Sequence, residues 1–414
     1  MKSSRVHMRN VAPRLRRPGA VLTSIALLLG VTAMAGGSAS GTNRPPIPGR
    51  SRPTFPSGSR PPISGGSFPF EARSLDGSGN NERHPTWGQA NLPYSRVARA
   101  AYADGRSAVI SGPNDRYISN RVFNDVNQNV FNDRNVSQWG NVWGQFLDHT
   151  FGLAQDGTES SNIPFNAADP LESFQNDFGV VGFTRSAAAP GTGVTNARQS
   201  VNTVNSYISG WPVYGGTTQR LEWLREGPVD GNMNNNGPHL MLDNGYLPRA
   251  DARGNAATAP TMAVDGRLLA APQKRMEAGD VRANENIALT ATHTLFAREH
   301  NRIVDALPAN LPVQLKFEIA RRVVGAEEQY VTYNEFLPAM GVNLNRYTGY
   351  NPNVDTTLSN EFATVGYRAH SMVHGEIEVA TNVSRYTAAQ LDAFRTAGIE
   401  VTVTGADVKL VIPL

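Results

Sequence analysis

The chain of 414 residues contains no cysteine. A disulfide, a thiolate metal site and a thiol nucleophile all require that residue, so the sequence excludes all three. Acidic residues are absent from positions 1–60, which carry ten Lys or Arg side chains. The remaining chain therefore holds 28 basic against 35 acidic side chains and has no positive surplus for binding nucleic acid. No internal repeat is present, and the turn-rich segment 73–88 lacks the G-x-S-x-G elbow that presents a hydrolase serine.

The composition, 40% hydrophobic and 18% charged, allows a large core in one domain or two. Six basic residues precede an apolar run over residues 20–35, which ends in Ala33-Met34-Ala35. This run is shorter than the roughly 20 apolar residues that a membrane-spanning helix needs. We therefore predict a signal peptide over residues 1–35 and a secreted protein, with an uncleaved anchor as the alternative. The Arg16-Arg17 pair also suits a twin-arginine signal, so the export route stays open.

Residues 36–70 are dominated by Pro, Gly, Ser and Arg. Such a stretch cannot bury enough apolar surface to offset its ordering entropy, so it is interpreted as a flexible linker. A folded domain is then predicted over residues 71–414.

The segment Ser137–Phe151 has the periodicity of a half-buried helix. Gln145 and His149 are four residues apart and share one side of this helix, whereas Asp148 is turned about 100° away from His149. A histidine and an amide therefore point together, with a carboxylate to one side. The alternative is a helix whose polar edge simply meets solvent. Its apolar residues recur at i, i+3, i+4, i+7 and i+8: Trp139, Val142, Trp143, Phe146 and Leu147.

Further helices are easier to place than strands, so we predict a mainly α fold with long loops and little β structure. Asp280 is a suitable cap for a long helix that reaches about Leu307. Alternating apolar residues near 399–403 and 408–412 indicate a small hairpin. Additional helices are predicted over Gln219–Arg225, Val313–Gln329 and Phe362–Val373.

Two other segments carry charged residues of interest. Arg282 and Glu285 lie three residues apart, which is also the spacing of a surface ion pair worth about 0–1 kcal/mol. His370 has largely apolar neighbours, as a core histidine with satisfied hydrogen bonds would.

Together with the Ser137–Phe151 helix, these segments resemble the animal-type haem peroxidases of the peroxidase–cyclooxygenase superfamily, and more closely their bacterial secreted members. The resemblance covers about residues 70–414. It is carried by the order and spacing of these motifs: R-S-L-D-G-S-G-N-N, P-T-W-G, W-G-Q-F-L-D-H, V-Y-G, A-G-D-V-R-A-N-E, H-T-L-F-A-R-E-H-N-R and the H-S that begins at His370.

The resemblance implies a haem b site. His149 would be the distal histidine that takes a proton from hydrogen peroxide and returns it to the leaving oxygen. Arg282 would stabilise charge as the O–O bond breaks, since a guanidinium does so without losing a proton. Gln145 would hold water or a halide, and His370 would bind the haem iron from the opposite side.

Other haem contacts follow from the same resemblance. Asp148 and Glu285 match the carboxylates that form ester bonds to haem methyl groups in family members. Asn286 occupies the position of a methionine that is linked to haem in myeloperoxidase, so no sulfonium bond is expected. Arg368, close to the proximal histidine, is a further candidate for haem binding.

Calcium, which accompanies haem in the family, is less expected here. The corresponding positions are Thr150, Asn205, Tyr207 through its carbonyl, and Ser209. Because calcium takes six to eight oxygens and favours charged ones, this uncharged set predicts a weak site or none.

Tyr367 leaves a second activity open. Peroxidases of the family commonly have arginine three residues before the proximal histidine, whereas Tyr367 resembles the tyrosine whose radical oxidises lipids in the oxygenase branch. The alternative, favoured by the presence of both Asp148 and Glu285, is an aromatic residue that packs against the haem edge.

The family's asparagine that supports the proximal histidine would fall beyond Leu414. We therefore expect a C-terminally truncated domain, and an inactive remnant that serves as a binding protein is a further alternative. His293, His300 and His374 are interpreted as structural or surface residues. The leading expectation is a secreted haem peroxidase that reduces hydrogen peroxide and oxidises a halide, a pseudohalide or a small aromatic donor.

Overall fold

A computed structural model describes residues 73–413, except 124–131, 175, 265, 369–371 and 374. The predicted signal peptide and linker lie outside these residues, as do His370 and His374. The described part is mainly helical, as predicted. Its helices are α1 Asp115–Val122, α2 Gln138–Phe151, α3 Trp211–Tyr214, α4 Thr218–Leu224, α5 Ile287–Ala306, α6 Val313–Val331, α7 Leu337–Ala339 and α8 Ala388–Thr396. Its strands are β1 Leu92–Pro93, β2 Ile163–Pro164, β3 Val180–Val181, β4 Val201–Asn202, β5 Glu376–Asn382, β6 Glu400–Thr404 and β7 Asp407–Pro413.

The main core lies between helices α2, α5 and α6, with α3 and α4 packed against them. Phe146 of α2 stacks on Phe296 of α5 with ring centroids 5.1 Å apart. Leu289 and Phe317 are completely buried in the same cluster. Burial of side chains of this size contributes about 1.5–3 kcal/mol each, which holds α2 against α5. Among the described residues, no helix is both long enough and apolar enough to cross a membrane.

Helix α5 begins later than the sequence pattern predicts. Asn286 is the N-cap, and its side chain accepts a hydrogen bond from the Leu289 N–H at 2.9 Å. The prediction that Asp280 caps this helix is wrong, because the Asp280 carboxylate accepts hydrogen bonds from the backbone and side chain of Arg282 instead. Arg282 and Glu285 therefore lie in a turn that precedes α5.

The predicted helix over Phe362–Val373 is also wrong in its extent. The helix is interrupted at Tyr367: Phe362–Gly366 forms one wide π turn, and residues 369–371 of the predicted range lie outside the described residues. Tyr367 leaves helical geometry at φ −103° and ψ 65°, and its N–H donates to the Phe362 carbonyl five residues earlier. A wide turn of this kind often marks a functional site in other proteins.

The predicted hairpin is confirmed. Strands β6 and β7 pair antiparallel around a turn at Gly405, whose φ of 61° suits glycine. Strand β5 pairs with the other edge of β7, so the sheet order is β5-β7-β6. Leu391 of α8 packs with Val408 and Leu410 in a second, small core.

Candidate functional site

A cleft of about 2580 Å³ lies beside the side of α2 that carries Gln145, Asp148 and His149. This exceeds the roughly 300–1,000 Å³ of a typical small-molecule pocket, so the cleft has room for a large cofactor. Its lining includes aromatic side chains of the segment that follows α6, among them Phe336, Phe362 and Tyr367. Five of the polar residues predicted for the site line the same cleft: Gln145, Asp148, His149, Arg282 and Glu285.

Helix α2 places three of these side chains because its other face is held in the core. Phe146 and Leu147 are buried, which turns Gln145, Asp148 and His149 towards the cleft. His149 itself is only 1% exposed. A polar ring buried to this degree needs defined hydrogen-bond partners, which fix its orientation.

Arg282 and Asp280 form a buried ion pair beneath the cleft. Arg282 donates from Nε to Asp280 Oδ1 at 2.8 Å and from Nη2 to Oδ2 at 2.9 Å. Its Nη1 donates to the Gly152 carbonyl at 2.8 Å and to Asp148 Oδ2 at 3.3 Å. Burial acts to raise the pKa of Asp280, but the charges of Arg282 and His149 and the hydrogen bonds from Arg282 together outweigh it and leave that pKa well below its ordinary value. The guanidinium is therefore charged and held in one orientation.

The carboxylates of Asp148 and Glu285 differ in their surroundings. Burial raises the pKa of Asp148, although the charge of Arg282 opposes this effect. Burial also acts to raise the pKa of Glu285, but contacts with His149 and the charge of Arg282 leave it below its ordinary value. Both side chains still reach the cleft, with 26% and 36% of their surface exposed.

Gln145 is held by two neighbours. Its Nε2 donates to Glu285 Oε2 at 2.6 Å, and its Oε1 accepts from Asn286 Nδ2 at 2.7 Å. The amide therefore links α2 to the start of α5. These two bonds use one of its two N–H protons and one of its two oxygen lone pairs, so one N–H and one lone pair remain for its predicted role of holding water or a halide.

Two partners of His149 were not found by sequence reasoning. His149 Nδ1 lies 3.4 Å from His293 Nε2 and 3.6 Å from Asp280 Oδ1. Its other nitrogen, Nε2, lies 3.6 Å from Glu285 Oε2. One signal was available, since His293 follows Leu289 by four residues and hence occupies the same face of α5.

Tyr367 and Arg368 line the cleft as well. The Tyr367 hydroxyl donates to the Gly144 carbonyl at 2.9 Å, and its ring packs edge-on against Phe151. Burial raises the pKa of Tyr367, with the charge of Asp148 acting in the same direction. Arg368 is exposed. The predicted iron ligand, His370, lies outside the described residues.

The residues considered for calcium are engaged with protein groups. Thr150 is buried and donates to the Phe146 carbonyl at 3.3 Å. Asn205 Oδ1 accepts from the Tyr207 N–H at 2.9 Å and lies 3.5 Å from the Ser209 hydroxyl. Across the described part of the chain, no group of three or more His, Cys, Asp or Glu side chains is arranged to hold a metal ion.

The donors that line the cleft fit a haem group. A buried imidazole can move a proton and a fixed guanidinium can stabilise negative charge, and two carboxylates reach the same space. The aromatic side chains of the lining suit an apolar ring system.

Comparison with known proteins gives a consistent result. Residues 72–400 match the family model described as animal haem peroxidase. Thyroid peroxidase from Sus scrofa is 31% identical over 350 residues, which cover 73% of this chain and 37% of that protein. Peroxidasin from Drosophila melanogaster is 29% identical over 348 residues, 73% of this chain and 22% of that protein. The chain thus spans 37% of the length of the first relative and 22% of the length of the second.

Solved structures resemble this chain as well. Peroxidase A from Dictyostelium discoideum superposes with a TM-score of 0.61 at 26% identity, over 76% of this chain and 62% of that one. The fatty acid alpha-dioxygenase of Arabidopsis thaliana gives a TM-score of 0.54 at 16% identity, over 75% and 49% of the two chains. The second likeness concerns the fold alone.

Proposed function

The chain belongs to the animal haem peroxidase family, and on that premise we propose that it binds haem b in this cleft and reduces hydrogen peroxide. The electrons would come from a halide, a pseudohalide or a small aromatic donor. The supporting observation is one buried carboxylate shared by two groups. Asp280 Oδ1 lies 2.8 Å from Arg282 Nε and 3.6 Å from His149 Nδ1, which holds an acid–base group and a fixed cation at the same cleft.

Haem, when bound, supplies the electrons that cleave the peroxide O–O bond, and the donor then returns them. His149 accepts the proton of the bound peroxide and delivers it to the departing oxygen, which leaves as water. Arg282 places positive charge beside the oxygen on which negative charge develops. Because Asp280 and the Gly152 carbonyl hold the guanidinium in place, it needs no reorganisation during the reaction.

We assign the iron ligand to His370 from its sequence motif, and the haem tethers to Asp148 and Glu285. Support for the tethers comes from their partial exposure in the cleft that His149 also lines. Arg368, an exposed residue of the cleft lining, is suited to pairing with a haem propionate. Calcium is proposed to bind weakly or not at all, because the oxygens of Asn205 and Ser209 already bond within their own loop.

Secretion is proposed from the N-terminal pattern, with cleavage near Ala35. Amino-terminal sequencing of the exported protein tests it. A mature protein that still begins at Met1 would support the anchor instead.

One experiment tests the haem and peroxidase proposals together. Hemin is added to the purified chain, the Soret band is recorded, and peroxide-dependent oxidation of iodide and of a phenol is measured. His149→Gln is expected to keep the Soret band and to lose about 10²- to 10⁴-fold in turnover. His239→Gln is the control, because His239 pairs with Asp305 rather than with any residue of the cleft. A chain that holds no haem would support the inactive-remnant alternative.

The same hemin-loaded chain also tests the ester tethers and the alternative oxygenase activity. After peroxide treatment, haem should remain with the denatured wild-type chain and be released more readily from Asp148→Val and Glu285→Gln. Extraction from the wild type by acid butanone contradicts the ester tethers. Tyr367→Phe should leave phenol oxidation in place, and a loss confined to oxidation of an unsaturated fatty acid would favour the oxygenase reading. The Tyr367 hydroxyl is bonded to a backbone carbonyl, which supports its structural role.

A further inference from the structure

A second buried histidine lies behind His149, away from the cleft opening. We propose that His293 is a positioning residue that holds His149 with its ring proton on Nδ1, so that Nε2 presents a lone pair to the peroxide. The catalytic consequence rests on the proposed peroxidase function, whereas the tautomer itself does not. The assignment follows from which of the surrounding atoms can donate a proton and which can only accept one.

The surroundings of His293 fix its own tautomer. Its Nδ1 lies 3.0 Å from the Pro212 carbonyl oxygen, which can only accept, so Nδ1 carries a proton. This carbonyl is held in place because the Gly279 N–H also donates to it at 3.0 Å. A Cβ on Gly279 would lie 2.3 Å from the Trp211 carbonyl oxygen, so glycine permits this close approach. Burial lowers the pKa of His293 to about 3, so the ring is neutral and Nε2 is an acceptor.

Because His293 Nε2 can only accept a hydrogen bond, it also constrains the tautomer of His149. With an acceptor 3.4 Å away on His293, the proton between the two rings must come from His149 Nδ1. Asp280 Oδ1 lies 3.6 Å from the same nitrogen and is likewise an acceptor. Both neighbours on this side therefore favour a proton on Nδ1.

Glu285 acts in the opposite direction, because its carboxylate lies 3.6 Å from His149 Nε2. That oxygen already accepts a shorter bond, 2.6 Å, from the Gln145 amide. The amide weakens the attraction of Oε2 for a second proton. Asp280 Oδ1 is shared in the same way, because it accepts from the backbone N–H and from Nε of Arg282. The two carboxylates therefore balance, and the nearer acceptor, His293 Nε2 at 3.4 Å from Nδ1, decides the tautomer.

The alternative is that His293 merely fills the core, and His300 on the same helix shows what that arrangement looks like. His300 Nε2 lies 2.9 Å from the Pro238 carbonyl, and its Nδ1 lies 2.8 Å from the Tyr214 hydroxyl. Both of its ring nitrogens thus bond within the core. His293 differs because its second nitrogen, Nε2, contacts the ring of His149, which lines the cleft.

The test uses two kinds of His293 variant and one matched control. His293→Gln keeps an amide oxygen that can accept from His149, whereas His293→Leu removes the acceptor. His293→Asn, whose shorter amide can still donate to Pro212, replaces His293→Leu if that variant does not fold. His300→Leu removes an equally buried histidine from the same helix.

The first measurement is ring ¹⁵N NMR of the histidine-labelled chain, with the His149 signals identified by their absence from His149→Gln. We expect a protonated Nδ1 in the wild type, in His293→Gln and in His300→Leu, and a mixed or reversed tautomer in His293→Leu. The second is the rate of cyanide binding to the hemin-loaded chain, since hydrogen cyanide must give its proton to the distal base. This rate should fall about 10- to 100-fold in His293→Leu and by less than about 3-fold in His293→Gln.

A proton on Nε2 of His149 in the wild type would overturn the proposal. So would an unchanged tautomer in His293→Leu, which would assign the effect to Asp280, or an equal loss of cyanide binding in His293→Leu and His300→Leu. If the wild-type chain binds no haem, the proposed function fails, but the NMR measurement still decides the tautomer.

Discussion

The two halves of helix α5, a cleft end that contains His293 and a core end that contains His300, hold buried histidines in closely similar settings but with different partners. His293 and His300 are both completely buried, and each bonds a backbone carbonyl of a proline, Pro212 or Pro238. Burial lowers both pKa values, to about 3 and about 4. The difference lies at the second ring nitrogen, which meets His149 at one end. Burial and hydrogen bonding therefore do not separate a functional histidine from a structural one, whereas the identity of the second partner does.

The surroundings of the two rings follow this difference. The His300 ring packs on Tyr214 and Phe317, with centroids 5.4 Å and 5.0 Å away, inside an aromatic part of the core. At the cleft end, the charged Asp280 contacts both Arg282 and His149. The cleft end of α5 thus depends on balanced charges, and the core end on packing and neutral hydrogen bonds.

The largest effect is expected from removing a charge at the cleft end. Asp280→Asn leaves the buried Arg282 without its bidentate partner, and breaking a buried pair in this way costs about 3–5 kcal/mol. Urea denaturation should therefore show a loss of that size in the free energy of unfolding.

Asp305→Asn is the matched control, because Asp305 is 71% exposed where it pairs with His239. Exposed pairs are worth about 0–1 kcal/mol. If Asp280→Asn cost no more than Asp305→Asn, the charges at the cleft end would not be balanced as described.

At the core end, His300→Leu should cost less, about 2–4 kcal/mol in the free energy of unfolding. The substitution leaves the Pro238 carbonyl and the Tyr214 hydroxyl without a partner, and a buried unsatisfied group costs about 1–3 kcal/mol. Thermal and urea unfolding measure this loss. Unlike His293→Leu, the variant should keep the wild-type rate of phenol oxidation once loaded with hemin, and a slower rate would remove the distinction between the two ends of α5.

Local periodicity in the sequence was enough to predict α2 and α6. Val142, Phe146 and Leu147 of the apolar stripe are buried in α2, as its spacing predicts, and α6 extends two residues beyond its predicted end at Gln329. Trp139, the first residue of the stripe, is 37% exposed, because the start of α2 lies outside the main core. A repeating pattern specifies which face of a helix is apolar, but not how far the neighbouring core extends.

Two features of the site could not be predicted, for a common physical reason. Asp280 and Asn286 are both acceptable caps by residue type, and the choice depends on Arg282 taking the Asp280 carboxylate. The contact between His293 and His149 joins residues that are 144 positions apart in the sequence. Neither contact follows from local spacing, so both required the folded chain.

The smallest effect concerns how stability depends on pH. His300 has a folded-state pKa of about 4, well below the 6.5 of an unperturbed histidine. Below pH 6.5 the unfolded chain therefore binds a proton that the folded chain does not, and stability is lost as the pH falls towards 4. Each pH unit in this window corresponds to about 1.4 kcal/mol, so this one histidine removes about 2 kcal/mol between pH 6.5 and pH 5.

His300→Gln tests this contribution because an amide keeps hydrogen-bonding capacity but does not titrate. The free energy of unfolding is measured in urea at pH 7.5 and at pH 5 for the wild type and the variant. The variant should lose about 2 kcal/mol less than the wild type between these two values. Equal losses would mean that His300 is protonated in the folded chain, which the Pro238 and Tyr214 contacts do not accommodate, since Nδ1 could then no longer accept the hydroxyl proton. His293 and His300 would then no longer share a neutral ring, and the comparison between the two ends of α5 would fail.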